Sequence, residues 1–449
     1  MPNPQTDTKL DTLTGLIEKA KSQGADAAEA VMVDGTSLSV AVRMGETEKV
    51  DRSEGADLGL RVLIGKRQAV VSSSDTSDDA LAELLDRALA MAKSVPEDPH
   101  CGIADPDQLA TDIPDVDACD PTEHTADGLI ALAKRAEDAA RAVPGVTNSE
   151  GAEAGWDTSS VALASSNGFA QSYENSHIGL SASVLAGTGT GMERDYDYTS
   201  TVYAADMIDP ETIGRSAGEK AVKRLNPRKI ETKSVPVVFD PRVARSIVGH
   251  LTSAINGASV ARGTTFLKDK MGETLFPAGV NIIEDPHRPR GLRSRPFDGE
   301  GLATIRRNLI EDGILTTWLL NLRSARQLGL EPTGHGSRSV SSPPGIATAN
   351  VYLQAGNQTP AGLIGAIDDG FYVTELIGFG INGVTGDYSR GASGFWIEKG
   401  VLSYPVSELT IAGNLLDMFK NVTPADDLEF RYGTDAPTLM IEGLTVAGR

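Results

Sequence analysis

The first 230 residues use one pattern twice, and this repetition restricts the available folds more than any single residue does. Leu13, Leu16, Ile17 and Ala20 share a helical face. Leu38, Val40 and Val42 then alternate as a half-buried strand requires, and Leu60, Val62 and Ile64 do the same. A second helix follows, with Leu81, Leu84, Leu85, Ala88 and Ala92 on one side and Thr76 and Asp79 at capping-box spacing ahead of it. From about residue 125 the order recurs: a helix around Leu129, Ala133, Ala136 and Ala140, strands near 161–164 and 178–184, and a helix through Ile213, Ala217, Ala221 and Leu225. Two variants of one helix, sheet, helix module are expected, at 1–94 and 125–231.

Between them, 95–124 carries Pro96, Pro99, Pro106, Pro114 and Pro121 among many aspartates, which reads as an acidic connector, solvated or draped over the surface. The texture changes again at 232–449. Val235, Val237 and Phe239 alternate into a helix opened by Asp240-Pro241, where proline lacks an amide that the first turn would leave unpaired anyway. Ile310-Glu311-Asp312-Gly313-Ile314-Leu315 and Ile397-Glu398-Lys399-Gly400-Val401-Leu402 are hairpin signals, with glycine supplying positive φ. One helix, about 318–328 and stopped by Gly329, interrupts this sheet. The fold class is therefore α+β, with duplicated amino-terminal modules followed by a mainly antiparallel β-rich carboxy-terminal domain.

Charge narrows the partners. The chain holds 41 basic and 62 acidic side chains, a net −21; residues 1–230 contribute 21 and 39 (−18) and residues 231–449 contribute 20 and 23 (−3). Such a field disfavours nucleic acid and anionic membranes, and the acidity reads as solvation of the outer modules. Cys101 and Cys119 allow at most one bridge, and the amino terminus has no basic region followed by an apolar one, so a cytoplasmic protein is expected. No apolar run approaches membrane-spanning length.

Generic motifs mostly fail on context. Gly214-Arg215-Ser216-Ala217-Gly218 matches a nucleophile elbow, but the surrounding periodicity puts Ser216 inside a helix. Gly378-Phe379-Gly380-Ile381-Asn382-Gly383 matches a dinucleotide fingerprint, yet Gly386 and Gly391 oppose the helix it needs behind it. His100, Cys101, Cys119 and His124 are metal-ligand types at poor spacing, and incidental cysteines in a loop are the plainer reading. His250 shares a helical face with Val243, Ile247 and Ala254, which suggests a satisfied, half-buried histidine. Thr385-Gly386-Asp387-Tyr388-Ser389-Arg390-Gly391 is the densest polar cluster; it suits either a ligand or partner surface, or a sheet turn held by an Asp387–Arg390 contact.

Four stretches carry a family resemblance: Phe297-Asp298-Gly299-Glu300-Gly301, the hairpin at 310–315, the cluster from Thr385 to Trp396, and Pro405-Val406-Ser407-Glu408-Leu409-Thr410-Ile411-Ala412-Gly413-Asn414. With these the chain resembles the TldD/PmbA proteins, and the last two stretches resemble the PmbA/TldE branch. The resemblance implies a cytoplasmic heterodimeric metalloprotease that degrades unfolded or short peptides and matures modified peptide precursors. In the TldD branch a His-Glu-x-x-x-His helix and a late cysteine form the metal site. Here His250 stands at the first histidine, Leu251 replaces the glutamate, Ile255 replaces the second histidine, and Gly433-Thr434-Asp435 stands at the cysteine segment.

The resemblance thus implies a chain without catalytic residues, cofactor or metal of its own. Zinc or iron is expected in a TldD-like partner, with a homodimer possible when this chain is alone. His250, Asp387, Tyr388, Ser389 and Arg390 are its cleft or interface candidates. An antiparallel sheet with a free edge would hold an extended peptide through main-chain bonds. Asp387 and Arg390 would order the turn at the cleft or dimer surface. Two rivals stand beside this: a self-sufficient metallopeptidase using His250 with distant ligands such as His287, His335 or Asp435, and a regulatory interaction protein without protease activity.

Overall fold

The structure, a computed structural model, describes residues 4–448. The first half contains α1 (Pro4–Ser22), β1 (Ala27–Arg43), β2 (Glu46–Ile64), β3 (Arg67–Ser73) and α2 (Asp78–Ser94). Then come α3 (Ala126–Arg141), β4 (Val146–Ser165), β5 (Ala170–Ala186), β6 (Glu193–Thr201) and α4 (Pro210–Lys223). The two modules share one sheet, in the order β3-β2-β1-β4-β5-β6. At its centre β1 runs antiparallel to β4, from Glu29 opposite Ser165 to Val42 opposite Ala152. Either module alone would leave a long unpaired edge, and abutting them removes it.

Strand parity decides what each sheet face meets. Even positions such as Ala30, Met32, Leu38 and Val40 on β1 and Trp156 and Ala162 on β4 are buried beneath the four helices. Odd positions Val31, Val33, Val161 and Leu163 point the other way and pack with Phe169 and Phe297. The second face therefore receives the carboxy-terminal half. The capping box expected of Thr76 and Asp79 does not form. Ser77, one residue later than Thr76, is the N-cap of α2; it makes no side-chain capping bond, and its N–H donates to Asp75 at 2.9 Å.

The connector is draped rather than solvated. It forms no helix or strand beyond a 3-10 turn at Pro106–Gln108, and Cys101, Ala104, Ala110, Val116 and Ala118 are buried. Its backbone bonds both halves: Ser176 N–H donates to the Ala118 carbonyl, while Ala110 N–H donates to Gly301 and Arg290 N–H to Val116. Cys101 and Cys119 are both free thiols.

The second half begins with β7 (Lys233–Phe239), α5 (Pro241–Ala254), α6 (Gly257–Arg262), β8 (Ile282–Asp285), β9 (Arg307–Glu311) and β10 (Ile314–Leu315). It continues through α7 (Leu322–Leu328), β11 (Gly336–Ser337), β12 (Gly345–Ile346), β13 (Asn350–Leu353), α8 (Pro360–Gly365) and β14 (Asp369–Ile377). It ends with β15 (Asp387–Glu398), β16 (Val401–Asn414), α9 (Leu415–Lys420), β17 (Val422–Pro424), β18 (Thr434–Asp435) and β19 (Leu439–Ala447). Strands β16-β15-β14-β7-β19-β17 form a sheet in which β16 also pairs with β19, so it closes into a barrel. A second sheet, β10-β9-β8-β13-β18, lies across α5, and one apolar core joins the barrel, α5 and this sheet. Only the β14–β7 and β13–β18 pairings of these two sheets are parallel.

Both expected hairpins form, with Asp312-Gly313 at φ 47° and 81° and Lys399-Gly400 at φ 50° and 79°, the paired positive values of a type I′ turn. The helix expected from about residue 318 starts later, at Leu322. Asn321 caps it by accepting the Ser324 N–H, and Ser324 bonds back to the Asn321 N–H. Trp318 and Leu319 stay extended, with Leu319 bonded to Ile255 and Gly257.

Candidate functional site

Helix α5 opens where proline and aspartate place it: the Asp240 carboxylate accepts the Arg242 N–H at 3.1 Å and Pro241 fills the first turn. Its buried stripe is Ala244, Ile247, Val248, Leu251 and Ala254. His250 sits at the margin of that stripe, half-buried, with its ring edge-on to Tyr388 at 5.9 Å between centroids and 70° between planes.

Tyr388 arrives on β15, where strand alternation sorts the candidate residues. Asp387 and Ser389 are exposed on one face, while Tyr388 is buried and Arg390 half-buried on the other. The structure thus brings His250, Tyr388 and Arg390 together and separates Asp387 and Ser389 from them. The Asp387–Arg390 contact is absent among the described residues because the two lie on opposite faces. Asp387 instead accepts from the Thr385 hydroxyl at 2.6 Å and the Asn414 amide at 3.3 Å, and Asn414 also donates to the Thr385 carbonyl. Asp387 orders the turn, and Arg390 takes no part in it.

The cluster is unsatisfied. His250 Nε2, the Tyr388 hydroxyl and Arg390 Nε are buried without a hydrogen-bond partner among the described residues. An orphaned buried polar atom costs about 1–3 kcal/mol, so the expected satisfied histidine is corrected to a half-buried one with an idle nitrogen. Burial first and the Arg390 charge second pull His250 down to about 4, so its imidazole is neutral at pH 7. Burial holds the Tyr388 phenol up, so it stays protonated.

These residues do not fit a metal ion. The positions after His250 that would complete a ligand helix are Leu251 and Ile255, both 0% exposed inside the apolar core. The charge acting on His250 is a cation, not a carboxylate. The distant candidates are engaged elsewhere. His287 Nε2 meets the Thr304 hydroxyl at 2.9 Å. His335 is buried between the Thr333 hydroxyl at 2.7 Å and the Glu284 carboxylate at 2.6 Å. Asp435 accepts the main-chain N–H groups of Arg431 and Tyr432 at 2.9 and 2.8 Å. Among the described residues no three His, Cys, Asp or Glu side chains are grouped to hold an ion.

The other motifs resolve as their context predicts. Ser216 lies within α4 and donates to Asp197 at 2.5 Å. No helix follows Gly383 before β15 begins, so the glycine run has no helix amino terminus to offer a pyrophosphate. That run forms a loop whose Gly380 accepts from the Ser389 N–H, and it displays Phe379 at 97% exposure beside Ile377 and Val384, each at 58%.

Periodicity gave no hint of the buried acids. Asp298 accepts the N–H groups of Glu300, Leu302 and Gly336 at 2.8, 2.9 and 2.8 Å, and Glu300 accepts that of Leu322 at 2.8 Å. Burial, and then the neighbouring Asp298, push Glu300 up to about 8. Their one signal was the acid-glycine run at 298–301, and they serve to fasten loops whose amides lack partners.

Against known proteins, residues 232–448 match the PmbA/TldA metallopeptidase C-terminal domain, 119–225 the central domain and 28–92 domain 1. The chain is 41% identical over 426 residues to the metalloprotease PmbA of Escherichia coli O157:H7, covering 94% of this chain and 93% of that protein. A solved Bacteroides thetaiotaomicron structure superposes with a TM-score of 0.92 at 24% identity, covering 99% of this chain and all (100%) of that one. The structure of TldE from Thermococcus kodakarensis gives 0.87 at 22% identity, covering 97% and 100%. At these identities the two structures establish a shared fold.

Proposed function

The chain belongs to the PmbA/TldD metallopeptidase family, and from that premise we propose that it is the subunit of a TldD/TldE-type protease that does not bind the metal. The observation that carries this reading is the burial of Leu251 and Ile255 beside a neutral His250 facing Arg390. A helix with that face has no second ligand and no carboxylate to accept a proton from a water. In this reading a TldD-like partner supplies zinc or iron and the hydrolytic water. This chain closes the cleft and helps present an unfolded or short peptide.

Its contribution is positional. The turn ordered by Asp387, Thr385 and Asn414 holds the 378–383 loop against β15, so Phe379, Ile377 and Val384 are offered to a partner from a fixed support. Because the barrel closes on itself, β15 offers no free edge to a peptide. At the ends of the second sheet, β10 is already bonded to Gly272 and Glu273, and β18 is two residues long.

Co-expression with a TldD-like chain tests the reading. The pair is expected to cleave an unfolded peptide faster than the TldD-like chain alone, with one metal per pair that His250→Ala in this chain does not remove. Stoichiometric metal in this chain alone, lost with His250→Ala, would favour the self-sufficient enzyme. Equal rates with and without this chain would leave only a regulatory role.

A further inference from the structure

Residues 288–295 read Arg-Pro-Arg-Gly-Leu-Arg-Ser-Arg, four arginines in eight positions of a chain whose net charge is −21. Arg288 and Arg290 line a cavity of about 290 Å³, and Arg293 and Arg295 line a second of about 440 Å³ that adjoins it through Gly291 and Leu292, between β6 and the carboxy-terminal half. Two of the four arginines are spoken for. Arg290 pairs with Asp117 at 2.7 Å and Asp206 at 3.3 Å, and Arg295 donates to the carbonyls of Gly334, Gly336 and Ala347.

Arg288 and Arg293 have no carboxylate within 4.0 Å among the described residues. Arg288 lies 3.3 Å over the Phe430 ring, and Arg293 donates to the Thr434 hydroxyl at 3.1 Å. The left-handed Gly433, at φ 72°, leaves room for the Arg293 stem, where a Cβ would stand 2.9 Å from it. The acid beside them is Asp435, turned to its own backbone amides on the edge strand β18. Burial lowers both arginines, as it does for cations left short of counter-charge.

We propose that this cleft binds a peptide carboxylate, with Arg288 and Arg293 as its cationic partners and Phe430 as the apolar wall. Arg288, Arg293 and the neighbouring Arg245 stand against Asp435 and Asp285, three cations to two acids, an excess of one positive charge that matches a monoanion better than a phosphate dianion. The acidic surroundings repel a long polyanion and admit the end of a short, otherwise neutral chain. Gly433 and Asp435 line the smaller cavity together with Arg288 and Phe430, so a chain end entering it meets main chain, an apolar ring and a guanidinium at once.

The choice of a peptide rests on the peptidase-subunit reading. Binding is measured on this full chain without a partner, whereas that reading is tested by hydrolysis by the pair, so the two can fail separately. An unstructured peptide carrying fluorescein at its amino terminus is titrated by anisotropy as the free acid and as the carboxy-terminal amide. The acid is expected to bind about ten-fold more tightly, a difference lost in Arg293→Ala and in Arg288→Ala and diminished by added salt. Arg288→Lys, which keeps the charge, guards against misfolding and is expected to retain part of the preference. An amidated peptide with an internal glutamate that binds like the acid supports the site and names a side chain as its ligand. Equal binding of acid and amide, no binding of either, or no loss in both alanine variants overturns the proposal. So does displacement by inorganic phosphate at a concentration where acetate has no effect.

Discussion

Replacing Arg338 by alanine isolates one buried contact between the two halves of the molecule. Glu29 on β1 accepts from Arg61 at 2.6 Å and from Arg338, in the loop between β11 and β12, at 2.9 Å; the three side chains are 1%, 4% and 5% exposed. Burial raises the Glu29 carboxyl, but Arg338 and then Arg61 outweigh it and hold the group below its ordinary value. Removing Arg338 leaves Glu29 paired with Arg61 alone and deletes one buried charged hydrogen bond, which costs about 1.5–3 kcal/mol. At about 2–4 °C per kcal/mol for a unit of about 200 residues, the melting midpoint is expected to fall by roughly 5–10 °C. Calorimetry reads this directly, with limited proteolysis at the connector as a second measure of separation between the halves. Lys49→Ala, which removes one partner of the exposed Lys49–Asp51 pair, should leave the midpoint unchanged. The double substitution Glu29→Gln with Arg338→Met should cost more than the single one, because it leaves the buried Arg61 guanidinium without a carboxylate. Because the folded Glu29 value is lowered, this stability is present above the unfolded value near 4.5 and is lost as pH falls through the folded one. A cost under about 1 kcal/mol for Arg338→Ala would refute the argument that this triad is desolvated and coupled.

The same structure makes three further predictions. His250 is lowered from 6.5 to about 4, so the folded chain binds fewer protons there than the unfolded one. No such difference acts above pH 6.5, where both states are neutral, and a penalty growing to on the order of 3 kcal/mol builds up as pH falls towards 4. Histidine NMR should find one ring neutral at pH 5, and His250→Gln should flatten the stability profile between those limits. Installing the missing ligands as Leu251→Glu with Ile255→His should create no stoichiometric metal site by elemental analysis. It should destabilise the chain by about 4 kcal/mol or more in denaturant titration, because both positions are sealed in the core. Phe379→Ser, at a ring 97% exposed, should leave stability within about 0.5 kcal/mol while weakening co-elution with a TldD-like chain.

What the sequence made legible was whatever a periodic apolar pattern can carry. The four amino-terminal helices were placed by Leu, Ile and Ala at helical spacing, and those residues are buried. Strand β6 escaped because its inward positions are Asp195 and Asp197, which meet Arg242 at 2.7 Å and Lys220 at 2.8 Å. A strand that buries paired charges has no apolar alternation to detect. The merging of the modules escaped for a different reason: β1 shows the same alternation whether its second edge is bare or paired. On α5 the apolar residues span Val243, Ala244, Ile247, Val248 and Leu251, a stripe wide enough that periodicity could not settle whether His250 lay inside or at its margin. The orphaned nitrogen depends on that rotation and on Tyr388, more than a hundred residues away in sequence.

The acid excess of the first half has a role beyond solvation. Asp195 is taken by Arg242, Asp117 and Asp206 by Arg290, and Arg431 reaches Asp197 at 3.5 Å, so carboxylates of the acidic half dock on arginines of the nearly neutral half. The asymmetry of −18 against −3 is in part an interface written as charge. Once those pairs are matched, Arg288 and Arg293 are left over at the same seam, beside an edge strand and a cavity. If docking were the whole purpose of the basic run, its two guanidiniums outside any ion pair would cost desolvation that the nearby Asp435 only partly offsets. Their retention at the mouth of a cleft is what singles them out as a place where the missing negative charge comes from a bound molecule.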